Sequence, residues 1–211
     1  MDTNLVLPFL ANALLIAMQT WALGGVRNKR GLFGQYTYLQ NFLSLLASTF
    51  FVIAFAADCM DVPQLLPGAR GLRYVATCGL AVAMFVFTFL FISCRKEKNR
   101  IGSGDCKPGY PHRLVNIVLH YIAPVLAVVS FLWFEKPIAL TDARWTAVAA
   151  LPSIAYWIAY LVLTAAKRWE EPYDFSVSKN KAVNDIAQAA FVLLFAVLFV
   201  FTSMALWENK S

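Results

Sequence analysis

Thr37 and His120 are two residue types able to react together, and each lies within a long apolar stretch of this 211-residue sequence. A histidine can take the proton of a hydroxyl group, whose oxygen then attacks the carbonyl carbon of an ester. An ionisable side chain inside a lipid bilayer is costly enough that a functional role is the default hypothesis. Ordinary helix packing is the alternative, and spacing alone leaves both interpretations open.

The segment that contains His120, NIVLHYIAPV, has two further polar or irregular positions. Asn116 lies one helical turn before the histidine and therefore on the same face. Pro124 lies one turn after it and has no backbone N–H, so the carbonyl of His120 loses its usual donor. A kinked helix with such a carbonyl beside an imidazole suits a hydrated pocket, although proline is also tolerated in ordinary membrane helices.

Other common chemistries lack their motifs in this sequence. We find no HExxH, GxSxG or SxxK pattern and no phosphate-binding glycine loop. The second histidine, His112, follows a proline in a loop and is interpreted as a helix cap, so a multi-histidine metal cluster is excluded. The four cysteines have no CxxC spacing. We therefore expect no metal and no cofactor.

The composition predicts that these residues are held by membrane-spanning helices. The chain is 60% hydrophobic and 14% charged, against about 45–50% and about 25% in soluble domains. A spanning helix needs about 20 mainly apolar residues. Six stretches qualify, at 5–26, 36–57, 74–94, 114–134, 145–166 and 182–207. We expect an all-α bundle of six transmembrane helices that forms one domain over residues 1–211.

The distribution of Lys and Arg predicts the orientation of these spans. The loops after the first, third and fifth spans carry 13 of the 18 basic residues, and all other non-span segments carry five. The positive-inside rule places those three loops in the cytosol and both termini on the opposite side. This bias also explains the net charge of +6, so nucleic-acid binding is not needed to account for it.

Polar side chains collect at the predicted cytosolic ends of the spans. Thr37 and Asn41 share one face of the second span with Ser44 and Ser48. We interpret the two serines as interhelical contacts worth about 0.6 kcal/mol each. The further candidate pocket residues are Asn116, Tyr160, Asp185 and Gln188. Asn116 or Asp185 could orient the imidazole of His120. Asp185 could instead cap the sixth helix, and we favour the cap.

Two stretches, FGQYTYLQNFLSLLAS and HRLVNIVLHYIAPVL, resemble the androgen-induced-gene family of six-span membrane proteins, including its fungal and protist members. The matching positions are Thr37 between two tyrosines, the Asn116, His120 and Pro124 set, and the turn from Trp169 to Pro172. The resemblance extends over nearly the whole chain. It implies a threonine hydrolase of the endoplasmic reticulum that cleaves fatty acid esters of hydroxy fatty acids, with Thr37 as nucleophile and His120 as base.

The turn before the sixth span differs from the family pattern, since Glu170 and Glu171 replace aromatic residues. We expect this difference to affect substrate selectivity more than mechanism. The expected partner is a lipid ester that enters from the bilayer, and its carboxylate needs a cation at the interface. Arg113 is the candidate because it lies seven residues before His120, although it could simply anchor the helix to headgroups. The sequence does not indicate an oligomeric state.

A second class of function is a non-catalytic lipid-binding or transport protein with a polar path between helices. A transporter of this kind should contain inverted repeats or paired broken helices. The sequence contains no recognisable repeat, and only the spans with Pro124 and Pro152 are interrupted internally. We therefore favour the esterase.

The orientation can be tested with a cysteine introduced after Asn209. It should react with an impermeant thiol reagent only from the lumenal or extracellular side, because the basic loops hold the other face in the cytosol. Labelling of that cysteine in sealed and in permeabilised vesicles gives the measurement. Reaction from the cytosolic side would contradict both the orientation and the cytosolic placement of Thr37 and His120.

Overall fold

The computed structural model describes residues 3–26, 36–60, 62–93, 109–135, 143–166 and 168, and within these ranges the chain is helical and contains no β-strand. The α-helices are α1 (Thr3–Gly25), α2 (Tyr36–Asp58), α3 (Leu66–Ser93), α4 (His112–Ile117), α5 (Ala123–Val129) and α6 (Ala143–Ala165). A 3₁₀ turn (Pro63–Leu65) precedes α3, and two π-helical segments, Val118–Ile122 and Ser130–Glu135, follow α4 and α5. The predicted helical class is confirmed for this part of the chain.

Four helical segments are long and apolar enough to cross a membrane: Val6–Gly25, Tyr36–Asp58, Leu66–Thr88 and Arg113–Glu135. The fifth predicted span corresponds to α6, which contains a shorter apolar stretch, Val148–Tyr160. The sixth predicted span, 182–207, lies outside the described residues. The count of six therefore stays a prediction.

The helix surfaces are apolar outside and partly polar inside. Large apolar side chains such as Leu14, Ile53 and Val125 are half exposed or more. Asn12, Arg73 and other polar side chains are buried in the interior. A water-soluble bundle distributes these types the other way round, so the pattern agrees with helices that face lipid.

Helix α3 begins at Leu66, whereas the sequence predicts a span from Tyr74 after a turn-rich loop. Pro67 lies in the first turn of α3, where its missing N–H is not needed by the helix. Arg70 and Arg73 consequently lie on a helix and not in a loop. Arg73 is fully buried, so it is not a loop charge of the kind that the positive-inside rule counts.

An ion pair between Arg73 and Glu135 joins the four candidate spans inside the bundle. Glu135 Oε1 accepts hydrogen bonds from Arg73 Nε at 3.2 Å and Nη2 at 3.0 Å, and from Asn12 Nδ2 of α1 at 2.9 Å. Arg73 Nη1 donates to Ser48 Oγ of α2 at 3.2 Å. One carboxylate and its arginine therefore hold side chains from α1, α2, α3 and the Arg113–Glu135 span together.

The second π-helical segment, Ser130–Glu135, supplies another donor to the same carboxylate. Ser130 Oγ donates to Glu135 Oε1 at 2.8 Å across five residues. The i→i+5 spacing of a π-helix brings residues five apart onto a common face, whereas the tighter α-helix does not. The local change of helix type therefore positions both side chains in the interior.

An apolar layer separates this ion pair from the region around His120. Leu15 and Leu80 pack against Ala123 and Ala127, and all four are completely buried. Along α1, Leu15 lies between the buried polar residues Asn12 and Gln19. The bundle interior therefore alternates between polar and apolar layers along its length.

Removal of the Glu135 carboxylate should strongly destabilise the bundle. Glu135→Ala leaves Arg73 as an uncompensated buried charge, which costs about 3–5 kcal/mol. Thermal unfolding of the purified protein in detergent measures the loss. Asp58→Ala is the matched control, since Asp58 ends α2 and a negative charge there opposes the helix dipole. Equal unfolding temperatures for the two variants would contradict the role given to the ion pair.

Candidate functional site

The start of α2 is fixed in the bundle by Tyr36. Its hydroxyl lies 2.6 Å from Ser153 Oγ of α6, and its ring packs against Tyr156 and Trp157 at centroid distances of 5.1 and 6.1 Å. This anchored aromatic residue directly precedes Thr37, which is 4% exposed. The predicted nucleophile thus lies at the beginning of a helix whose first turn is held by packing.

Asn41 connects the Thr37 turn to the segment that contains His120. Its Nδ2 donates to the carbonyl oxygen of Thr37 at 2.9 Å and to that of Leu119 at 3.0 Å. The two carbonyl oxygens are therefore no more than 5.9 Å apart, the sum of the two hydrogen-bond lengths. Thr37 and the residue preceding His120 are neighbours across the helix interface.

Gln19 of α1 extends this network by one bond. Its Nε2 donates to Asn41 Oδ1 at 3.3 Å, and both side chains are fully buried. The amide of Asn41 is thereby fixed at its oxygen as well as at its nitrogen. We refer to Gln19, Asn41 and the Thr37 and Leu119 carbonyls as the amide bridge.

His120 occupies the centre of the π-helical segment Val118–Ile122. The N–H of Ala123 donates to the Val118 carbonyl, which is the i→i+5 bond of a π-turn. Pro124 follows as the second residue of α5, a position where a missing N–H is tolerated. The predicted irregularity before the proline therefore takes the form of a π-turn, a feature that is frequent at functional sites.

The imidazole of His120 is stacked against Phe87 of α3. The ring centroids are 3.5 Å apart and the planes are inclined by 13°. The side chain is 4% exposed, and its Nδ1 has no hydrogen-bond partner among the described residues. The contact with Phe87 restrains the plane of the ring, and the role of Asn116 as an orienting group stays a prediction.

The other predicted pocket residues have different surroundings. Tyr160 is fully buried and packs edge-on against Trp157 at 5.1 Å. Asn116 is half-buried, and Arg113 is exposed at the start of the same span. Asp185 and Gln188 lie outside the described residues, so the choice between cap and orienting group for Asp185 stays a prediction.

Three residues in or near the amide bridge are not predicted from the sequence as members of the site. Gln19 and Gln40 are single glutamines in apolar runs, and the cost of burying an amide could have identified them. Phe87 belongs to an uninterrupted apolar segment and gives no such signal. Within the described ranges, no three His, Cys, Asp or Glu side chains come close enough together to hold a metal ion.

Comparison of the chain with protein-family models, with curated proteins and with solved structures gives no match. The resemblance to the androgen-induced-gene family accordingly stays a prediction based on the quoted motifs.

Loss of the amide bridge should destabilise the fold measurably. Asn41→Leu has nearly the same size but leaves the Leu119 carbonyl and the Gln19 amide without their partner, at about 1–3 kcal/mol for each buried group. Thermal unfolding in detergent should therefore begin at a lower temperature. Ser44→Ala is the control on the same helix face, because Ser44 Oγ has no hydrogen-bond partner within the part of the chain that the structure describes. A larger loss in Ser44→Ala than in Asn41→Leu would contradict the bridge.

Proposed function

We propose that this chain is an intramembrane esterase in which Thr37 is the nucleophile and His120 is the general base. The supporting observation is the amide bridge, because Asn41 bonds the Thr37 and Leu119 carbonyls at once. The bridge brings a hydroxyl residue and the histidine segment together in a buried part of the bundle. A nucleophile and its base must approach to hydrogen-bond distance in the reacting complex, and apo geometries are often looser.

The reaction proceeds in two halves with no cofactor. The neutral imidazole takes the Thr37 Oγ proton while the oxygen bonds to the ester carbonyl carbon. The tetrahedral adduct then breaks its ester C–O bond, and the leaving alkoxide takes the proton from the imidazolium. A water molecule repeats the sequence on the acyl-threonine, releasing the fatty acid and the free Thr37 hydroxyl.

The apolar surroundings of the pair support a lipid substrate. Ile117, Ile122 and Val125 expose apolar side chains along the span that contains His120, so long acyl chains can lie beside it in the bilayer. Fatty acid esters of hydroxy fatty acids, the class implied by the resemblance, also carry a carboxylate. The exposed Arg113 is the proposed cation for that group, at the cytosolic face of the endoplasmic reticulum membrane.

A non-catalytic lipid-binding or transport protein is the second candidate. It is favoured by the presence of two buried polar regions along one bundle, the amide bridge and the Arg73–Glu135 pair. The apolar layer of Leu15, Leu80, Ala123 and Ala127 lies between them and interrupts a continuous polar path. A purely non-catalytic protein would show no ester turnover that depends on Thr37.

Substitution of either reacting residue should abolish hydrolysis. Thr37→Ala removes the nucleophile and His120→Ala removes the base, so turnover of a fatty acid ester of a hydroxy fatty acid should fall to background in both. The double variant should be little worse than either single one, because residues that act as one unit are not additive. Thr37→Ser should retain part of the activity. Product release by the purified protein, monitored by mass spectrometry, is the measurement.

An activated fluorophosphonate provides the chemical control. It should form a covalent adduct at Thr37 in the wild-type chain and none in Thr37→Ala, and peptide mass mapping locates the adduct. Near-normal turnover in Thr37→Ala or in His120→Ala would refute the assignment.

A further inference from the structure

Gln40 of α2 has a buried side-chain amide that makes no hydrogen bond within the described fold. The side chain is 1% exposed, and neither Nε2 nor Oε1 has a hydrogen-bond partner among the described residues. Buried side-chain polar atoms in native proteins almost always have a partner, and exceptions call for a functional explanation such as a missing ligand or water. Because both amide atoms are unpartnered, an N–H donor is available whichever way the amide is turned.

Gln40 lies three residues after Thr37 on α2. Residues three apart on a helix are surface neighbours, with Cβ atoms about 5–6 Å apart. The glutamine therefore lies one turn further along α2, beside the proposed nucleophile. Its side chain is long enough for the amide to reach a group that is bonded to the threonine oxygen.

Gly79 of α3 leaves the space that the amide occupies. A Cβ atom added at Gly79 would collide with Oε1 and Cδ of Gln40, so any other residue there would displace the side chain. A glycine on the facing helix thus makes room for an amide that has no partner among the residues described. A structural role alone would be served equally well by an apolar side chain of the same length, without the cost of an unpaired amide.

We infer that Gln40 Nε2 donates a hydrogen bond to the carbonyl oxygen of the lipid ester attacked by Thr37, an inference that rests on the proposed function. When Thr37 Oγ bonds to the carbonyl carbon, the π electron pair moves to the carbonyl oxygen and His120 holds the proton. Gln40 stabilises this oxyanion. On collapse the pair returns, the ester C–O bond breaks and the leaving oxygen takes the proton. Loss of one such donor typically costs about 10²–10³-fold in kcat.

The test is the hydrolysis of a chromogenic p-nitrophenyl ester of a medium-chain fatty acid by the full-length protein in detergent. Gln40→Met keeps the side-chain length but removes the donor, so kcat should fall about 10²-fold or more while KM changes little. Gly79→Ala should lower kcat in the same way, because it displaces the amide and leaves every polar group in the chain. The KM of both variants for the ester should be close to the wild-type value.

Thr77→Val is the matched control. Thr77 is also buried on α3, and its hydroxyl likewise has no hydrogen-bond partner in the described ranges. The substitution therefore removes an equivalent unpaired polar atom and should leave kcat unchanged. Thermal unfolding of every variant separates folding from chemistry, and Gln40→Met should unfold at the wild-type temperature or above. If one of the two site variants fails to fold, the other decides the outcome.

Wild-type kcat in a folded Gln40→Met or Gly79→Ala protein would overturn the inference and leave the esterase intact. A wild-type chain that neither hydrolyses the ester nor forms a fluorophosphonate adduct at Thr37 would instead refute the proposed function itself. A tenfold or greater rise in KM with unchanged kcat would also overturn the inference, since a donor to the oxyanion acts mainly in the transition state.

Discussion

The packing of the four candidate spans depends on the carboxylate of Glu135. A bilayer interior contains no water to compensate a buried charge, so Arg73 requires an anionic partner from within the protein. Glu135 provides it and also accepts from Asn12 and Ser130. Because these bonds have fixed lengths and directions, they set the axial positions of the helices relative to each other, which apolar packing alone would leave less well determined.

That axial alignment has a direct effect on the candidate site. Gln19 and Asn12 belong to the same helix, and His120 and Glu135 belong to the same span. The axial position that the Arg73–Glu135 pair gives to these helices therefore also sets the axial positions of Gln19 and His120. The apolar layer between the ion pair and the amide bridge keeps the helices packed together without polar contacts. The amide bridge can then bond two backbone carbonyls on different helices with a single side chain, and this is possible only where the helices do not slide.

The sequence predicted the features that depend on composition and local periodicity, and it missed those that depend on tertiary contacts. Helical class, most span positions, and the burial of Thr37, Asn41 and His120 follow from apolar runs and from polar residues at helical spacing. The sequence predicts a loop position for Arg73, because a charge beside a span normally lies in the headgroup region. Its burial depends on Glu135, a partner distant in the sequence. The stacking of His120 on Phe87 is likewise invisible in an apolar run.

The hydrogen bonding before Pro124 depends on both local sequence and tertiary contacts. Pro124 predicted a disturbance of the helix near His120, but proline alone does not select between a kink, an open carbonyl and a π-turn. The choice depends on neighbouring helices, because the wider turn must fit the space beside α3. Local sequence therefore located the irregularity, and tertiary packing determined its form.

The inward position of Arg73 has a consequence for biogenesis. The ribosome completes α3 before it synthesises Glu135, so the arginine enters the membrane as an unpaired cation and waits for about 60 further residues. During that interval a charge in a nascent helix favours the translocation channel or the lipid–water boundary over the hydrocarbon. Arg73 can consequently reach its paired position in the interior only after the end of the Arg113–Glu135 span has been synthesised.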